Sequence, residues 1–204
     1  WGYNCFMNRC RGDRLLTFYE LMRRGILEQG LVSFNVDLPE YEQQYIQAEF
    51  VQYEQEHCAG KNLIPYNNLN GTLEQCIIDS KISLVLETYI SDNHIVFSEK
   101  LFRVLQMPRP WLLYCSPGSV GVLKDYGFDV LEDYTDIGYD QVPGHHVRLQ
   151  HILDQLETFI DRTYTDMDYA RFRQAQAHNQ QLLTQFTQAW PDKLNCILEQ
   201  IRQL

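Results

Sequence analysis

The fold of this chain is decided by residues 81–128, KISLVLETYISDNHIVFSEKLFRVLQMPRPWLLYCSPGSVGVLKDYGF. The apolar runs 82–86 and 111–115 have the continuous hydrophobic character of parallel strands that are covered on both faces. Ser98 can cap a helix that ends before Pro108, and a Gly-containing turn then leads from the second strand into another helix. This order of strands and helices predicts an α/β fold, a Rossmann-like parallel sheet flanked by helices.

The residues before this stretch repeat the same organisation. Residues 3–8 have strand character, residues 15–22 carry apolar side chains at helical spacing, and residues 31–37 predict a second strand. Residues 39–58 have helical character with a solvated Glu- and Gln-rich face. The chain therefore opens with a strand–loop–helix–strand unit.

The residues after it change character. Residues 129–134 predict a short strand, and from about residue 142 onward the pattern is helical and rich in Gln, typical of about three helices. In the first of these helices, the helical spacing of apolar residues predicts one apolar face, formed by Val147, Ile152, Leu153, Leu156 and Ile160. We predict a nucleotide-sugar-binding domain at 1–140 and a helical C-terminal extension at 141–204 that packs on it.

Composition limits the class of protein and of partner. The chain has 204 residues, a net charge of −10 and a pI of about 5.0, which argues against a broad basic face for nucleic acid. It holds no apolar run of the length needed to cross a bilayer. The six cysteines have irregular spacing and form no CxxC pair, which favours free thiols in a reducing, cytoplasmic location.

The loop and helix start at Ser98, Glu99 and Lys100 form the first candidate site. A lysine at the positive end of a helix is electrostatically misplaced, and a bound anion would make its position favourable. The alternative is a surface lysine whose ammonium group lies in water. Glu87 comes where the preceding strand leaves the core, so it belongs to the same candidate site.

Two other loops could hold an anion. Arg9, Arg11 and Arg14 lie in the first strand–helix loop or the first helical turn, where arginines reinforce the attraction of backbone amides for phosphate. The turn with Ser116, Gly118 and Ser119 follows an apolar strand, so its amides could approach a phosphate or a sugar. The alternative for that turn is an ordinary connection without a ligand.

Metal ligation is not predicted. The three histidines His145, His146 and His151 lack a carboxylate or cysteine partner at a ligand spacing. Asp166 and Asp168 form a DxD string, but they stand at a helix start, where N-capping explains them.

Residues 87–118, ETYISDNHIVFSEKLFRVLQMPRPWLLYCSPG, resemble the donor-binding motif of the α1,3-fucosyltransferase-like glycosyltransferases. In that family a strand ends in an acidic residue, and a loop leads to an aromatic-x-[ST]-E-K signature. The opening NRCRGDR, residues 8–14, is similar to the start of the same nucleotide-binding domain. The pattern SEK…P…PG…L…GF also resembles uncharacterised glycosyltransferase-like proteins of phages and bacteria.

The resemblance implies a GT-B fold, with this chain as its C-terminal, donor-binding domain. It implies that Lys100 and Arg14 contact the donor phosphates, that Glu99 holds the ribose or sugar, and that Glu87 lies near the sugar. Glu87 and Glu99 are therefore the candidate catalytic residues, and Ser98 belongs to the binding signature.

The function implied is transfer of a sugar from a nucleoside diphosphate sugar, without a metal or other cofactor, to an acceptor such as a glycan or modified nucleic acid. The acceptor domain of the family is not visible in the chain. The resemblance therefore implies either a fragment, whose acceptor site a further domain or partner chain would supply, or a minimal relative that has lost this domain. The alternative is a non-catalytic Rossmann-like module that binds or assembles with a partner.

Overall fold

The structure is a computed structural model that describes residues 1–7, 12–34, 66–69, 71–88, 90 and 94–202, with side chains as far as residue 189. The predicted helix at 39–58 therefore lies outside the described residues. Among the described helices, none is long and apolar enough to cross a membrane.

A sheet forms the centre of the described chain. Its strands are β1 (Tyr3–Met7), β2 (Gly30–Phe34), β3 (Tyr66–Asn67), β4 (Ile82–Leu86) and β5 (Trp111–Tyr114). Their order is β3-β2-β1-β4-β5, with β2, β1, β4 and β5 parallel and β3 antiparallel at the edge. The predicted Rossmann-like α/β fold is confirmed.

Helices surround the sheet. They are α1 (Gly12–Arg23), α2 (Leu73–Ile78), α3 (Glu99–Leu105), α4 (Ser119–Asp125), α5 (His145–Ile160) and α6 (Asp166–Arg202). Short 3-10 turns occupy Leu27–Gln29 and Ile137–Gln141. The predicted capping residue of α3 is confirmed, because the Ser98 side chain accepts a hydrogen bond from the backbone of Lys100.

The helices that follow β1 and β4 lie on opposite faces of the sheet. Phe18 of α1 stacks on Phe34 of β2 with ring centroids 4.3 Å apart. Phe6 of β1 points the other way, since side chains alternate along a strand, and it lines a cavity together with Val104 of α3. The boundary between β1 and β4 is therefore the topological switch point, where α/β proteins bind ligands outside the carboxyl ends of the strands.

The C-terminal helices complete the core. α5 packs on the face of the sheet that α1 covers, and Arg24 next to α1 forms ion pairs with Asp154 and Glu157 of α5. The division of the chain at residue 140 stays a prediction.

Three expectations for the C-terminal part are wrong. Residues 129–134 form turns, because Leu131 takes a left-handed φ of 55° and its carbonyl accepts from the amides of Tyr134 and Thr135. Val147 is 53% exposed, and the adjacent Arg148 takes the inward position instead. The last two predicted helices are one helix, α6, which continues through Pro191.

Candidate functional site

The candidate site lies at the edge of the sheet where β1, β4 and β5 end, which we call the carboxyl edge. The strand β4 ends at Leu86, and Glu87 and Thr88 follow it directly. The first turns of α1 and α3 reach the same edge from opposite faces. Side chains from all of these elements can therefore converge at the switch point.

Lys100 bends back from the first turn of α3 to the end of β4. Its Nζ donates to the backbone oxygen of Leu86 at 3.1 Å and to Thr88 Oγ1 at 3.4 Å. These two hydrogen bonds hold the Lys100 side chain against the protein and fix its ammonium group at the carboxyl edge.

Arg14 reaches the same hydroxyl from α1. Its side chain is buried, with 4% of the residue exposed, and its Nη2 donates to Thr88 Oγ1 at 3.2 Å. Because both nitrogens bond one oxygen, they lie no farther apart than the sum of these two distances. The structure therefore brings together two of the predicted phosphate-binding residues, which are 86 positions apart in the sequence; we call them the cationic pair.

Glu87 links the strand to the helix start. It is 2% exposed, and its Oε1 accepts a hydrogen bond from the amide of Ser98 at 3.0 Å. Its Oε2 is buried and has no hydrogen-bond partner among the described residues. Burying a carboxylate oxygen without a hydrogen bond costs folding free energy unless a donor is supplied. The hydroxyl group of a ligand could be such a donor.

The charges at this site act on Lys100 in both directions. Burial is the largest cause that lowers the pKa of Lys100, and the positive charge of Arg14 lowers it further. The carboxylates of Glu87 and Glu99 oppose this shift. An anion bound at the cationic pair would relieve the repulsion between the two cations.

The predicted turn after β5 uses its polar groups within the protein. Ser116 Oγ donates to the backbone oxygen of His94 at 2.6 Å, and Ser119 Oγ donates to the backbone oxygen of Ser116 at 2.5 Å. The amide of Gly118 donates to the backbone oxygen of Asp140, whose carboxylate accepts from the amide of Gly121 at 3.1 Å. The protein thus places a carboxylate of its own at the start of α4, where a ligand anion was considered.

The remaining predicted residues differ in their positions relative to the cationic pair. Glu99 is exposed at the start of α3. Arg9 and Arg11 are outside the described residues. Ser98 contributes its amide to Glu87 and its hydroxyl to the cap of α3.

A second polar cluster at the carboxyl edge was missed by the sequence analysis. Tyr114 donates to Asp13 Oδ1 at 3.5 Å, and the buried Arg148 lies against His145 with Nη2 and Nδ1 3.1 Å apart. Because a guanidinium only donates, His145 accepts at Nδ1 and carries its proton at Nε2 when neutral. Burial raises the pKa of Asp13, while His145, Tyr114 and Arg148 oppose the shift.

Asp13 could have been recognised as a candidate from its position, because it lies in the first turn of a helix that follows a strand. Arg148 had none, since arginine is ordinarily exposed.

Thiol chemistry and metal ligation find little support in the described residues. Burial raises the pKa of the Cys5 thiol to about 12, and it raises the pKa of Cys115 as well. Both cysteines are free and buried, and Cys76 is buried as well. Among the described residues, no group of three or more His, Cys, Asp and Glu could hold a metal ion.

Comparison with protein-family models, with curated proteins and with solved structures finds no match to this chain. The resemblance to the fucosyltransferase-like glycosyltransferases therefore stays a prediction that depends on the motifs in residues 8–14 and 87–128.

Proposed function

We propose that this chain binds a nucleoside diphosphate sugar at the carboxyl edge and is the donor-binding part of a glycosyltransferase. The observation that carries the proposal is the cationic pair: Arg14 and Lys100 come from opposite faces of the sheet and meet at one hydroxyl of Thr88. Their position at the switch point of a Rossmann-like sheet supports it, since this is where such folds bind nucleotides.

The chemistry follows from the charges at this edge. In sugar transfer the bond between the anomeric carbon and the diphosphate breaks, and negative charge develops on the departing diphosphate. Two cations held in place by hydrogen bonds stabilise this charge without having to reorganise. Glu87 Oε2 would accept a hydrogen bond from the donor, and the exposed Glu99 would hold a sugar or ribose hydroxyl.

The test is isothermal titration calorimetry of the wild-type chain with GDP, UDP and their sugars. We expect one of these ligands to bind and Lys100→Ala to weaken the binding by about 10- to 100-fold, the effect of losing a charged hydrogen bond. The matched control is Lys124→Ala, which removes one lysine charge from α4, where Lys124 pairs with Glu132. The control should bind within about twofold of wild type.

Two results would redirect the proposal. Absence of binding by every nucleotide, or equal losses in Lys100→Ala and Lys124→Ala, would remove it. Tight binding without sugar release to any acceptor tested would favour the alternative, a binding module without catalysis.

A further inference from the structure

A cavity of about 110 Å³ lies between α2 and α3, on the face of the sheet opposite α1. Its lining includes Phe6, Leu73, Ile77, Glu99, Lys100 and Val104. Most of these side chains are apolar, while the polar groups of the lining are concentrated on α3. The cavity extends beyond the cationic pair, because Lys100 lines it whereas Arg14 and Thr88 do not.

The lining residues of the cavity extend from the carboxyl edge toward the middle of the sheet. α2 precedes β4 and runs antiparallel to it, so its first residue, Leu73, lies toward the carboxyl edge. α3 follows β4, so Glu99 lies there too. Leu73 is half-buried and Glu99 is exposed, whereas Ile77 and Val104, farther along the two helices, are buried.

The cavity adjoins the cationic pair through shared residues. Lys100 and Leu86 both line it, and the Nζ of Lys100 donates to the backbone oxygen of Leu86. A phosphate held by Lys100 would therefore have its attached group at the mouth of the cavity.

Size and lining restrict what that group can be. A dry apolar cavity of about 150 Å³ admits a benzene ring, so a somewhat smaller and partly open one suits the edge of a flat aromatic ring system. Phe6, Ile77 and Val104 offer an apolar surface to such a ring. Glu99 at the start of α3 can accept from its polar atoms, and Arg103 in the last turn of α3, which pairs with Glu74, can donate to them.

We infer that this cavity receives the base of a nucleoside diphosphate whose phosphates lie at the cationic pair. The inference rests on the proposed function, because it takes phosphate binding by Arg14 and Lys100 as given. It adds that the nucleoside is recognised by a separate apolar subsite between α2 and α3.

The test compares inorganic pyrophosphate, UDP and GDP by calorimetry on wild type, Leu73→Trp and Ile78→Trp. Wild type should bind at least one nucleoside diphosphate about tenfold tighter than pyrophosphate, and the UDP and GDP arms identify the base. In Leu73→Trp the indole fills the mouth of the cavity, so that preference should disappear while pyrophosphate affinity stays within about twofold. Ile78→Trp introduces the same side chain at an exposed position of the same helix, so it should behave like wild type.

The pyrophosphate arm separates the inference from the proposed function. If pyrophosphate binds but neither nucleoside diphosphate binds tighter, or if Leu73→Trp keeps the full preference, the cavity is not the base site. If Leu73→Trp loses pyrophosphate as well while Ile78→Trp does not, the cavity is not a separate subsite, and the inference is again overturned. If wild type binds none of the three, the proposed function itself fails.

Discussion

Lys100 lies at the positive end of a helix, yet its ammonium group is fixed at the end of the neighbouring strand by Leu86 and Thr88. The unfavourable placement in the sequence therefore belongs to a side chain that the fold directs to the carboxyl edge. Thr88 could not be predicted in the same way, because a threonine after a strand has no signature of its own. Its contribution becomes visible only in the fold, where Arg14, far away in the sequence, donates a hydrogen bond to it.

At the scale of this residue, we expect diphosphate affinity to depend on pH through Lys100. In the protein without ligand, burial and the charge of Arg14 lower the pKa of Lys100 below its ordinary value of 10.5. A bound anion raises this pKa again. Affinity is therefore full below the lowered pKa and is lost as the pH rises through it toward the pKa in the complex. Calorimetry with pyrophosphate between about pH 7 and pH 10 should show this decline.

The control for the pH experiment is Lys100→Met, which keeps a long side chain but cannot titrate. Its weaker affinity should change less with pH than that of wild type. Equal slopes for both proteins would mean that another group causes the decline.

Among the elements, α4 shows how a short helix is stabilised from a distant part of the chain. Asp140 follows α4 by 15 residues, yet its carboxylate accepts from the amide of Gly121 in the first turn of that helix. The strands β4 and β5 could be predicted from the sequence, because continuous apolar runs are typical of parallel strands that are covered on both faces. This cap could not be predicted, because it depends on how the chain returns after residue 128.

We expect Asp140→Ala to lower the free energy of unfolding by about 0.5–2 kcal/mol, the usual cost of losing a helix cap. Denaturant titration followed by circular dichroism would measure the loss. Asp125→Ala is the matched control, since it removes an exposed carboxylate from the unfavourable C-terminal end of the same helix. It should be neutral or slightly stabilising, and an equal loss in both variants would contradict capping by Asp140.

For the whole molecule, the α/β class could be read from the alternation of strand and helix patterns. The placement of α1 and α3 on opposite faces follows from the right-handed connections that parallel strands require, once the strand order is known. The strand order itself was beyond the sequence, as was the burial of Arg148, which depends on the packing of α5 against the sheet. The candidate site residues could be predicted singly, and only the fold shows which of them meet.

The net charge of −10 should oppose the approach of an anionic ligand to this molecule. The Debye length falls from about 30 Å at 0.01 M salt to about 10 Å at 0.1 M. We therefore expect the association rate constant for a nucleoside diphosphate to rise over this range, measured by stopped-flow fluorescence with a labelled nucleotide. A fall in the rate constant would show instead that the local field of the cationic pair governs the approach.

Arg14 and Lys100 belong to helices that the sheet keeps apart, and both donate to the hydroxyl of Thr88. A diphosphate bound to both residues would link the helices on the two faces of the sheet. The ligand would then be a structural member of the protein for as long as it stays bound. Cleavage of the bond between sugar and diphosphate would leave this link in place. The link would be lost only when the nucleotide dissociates.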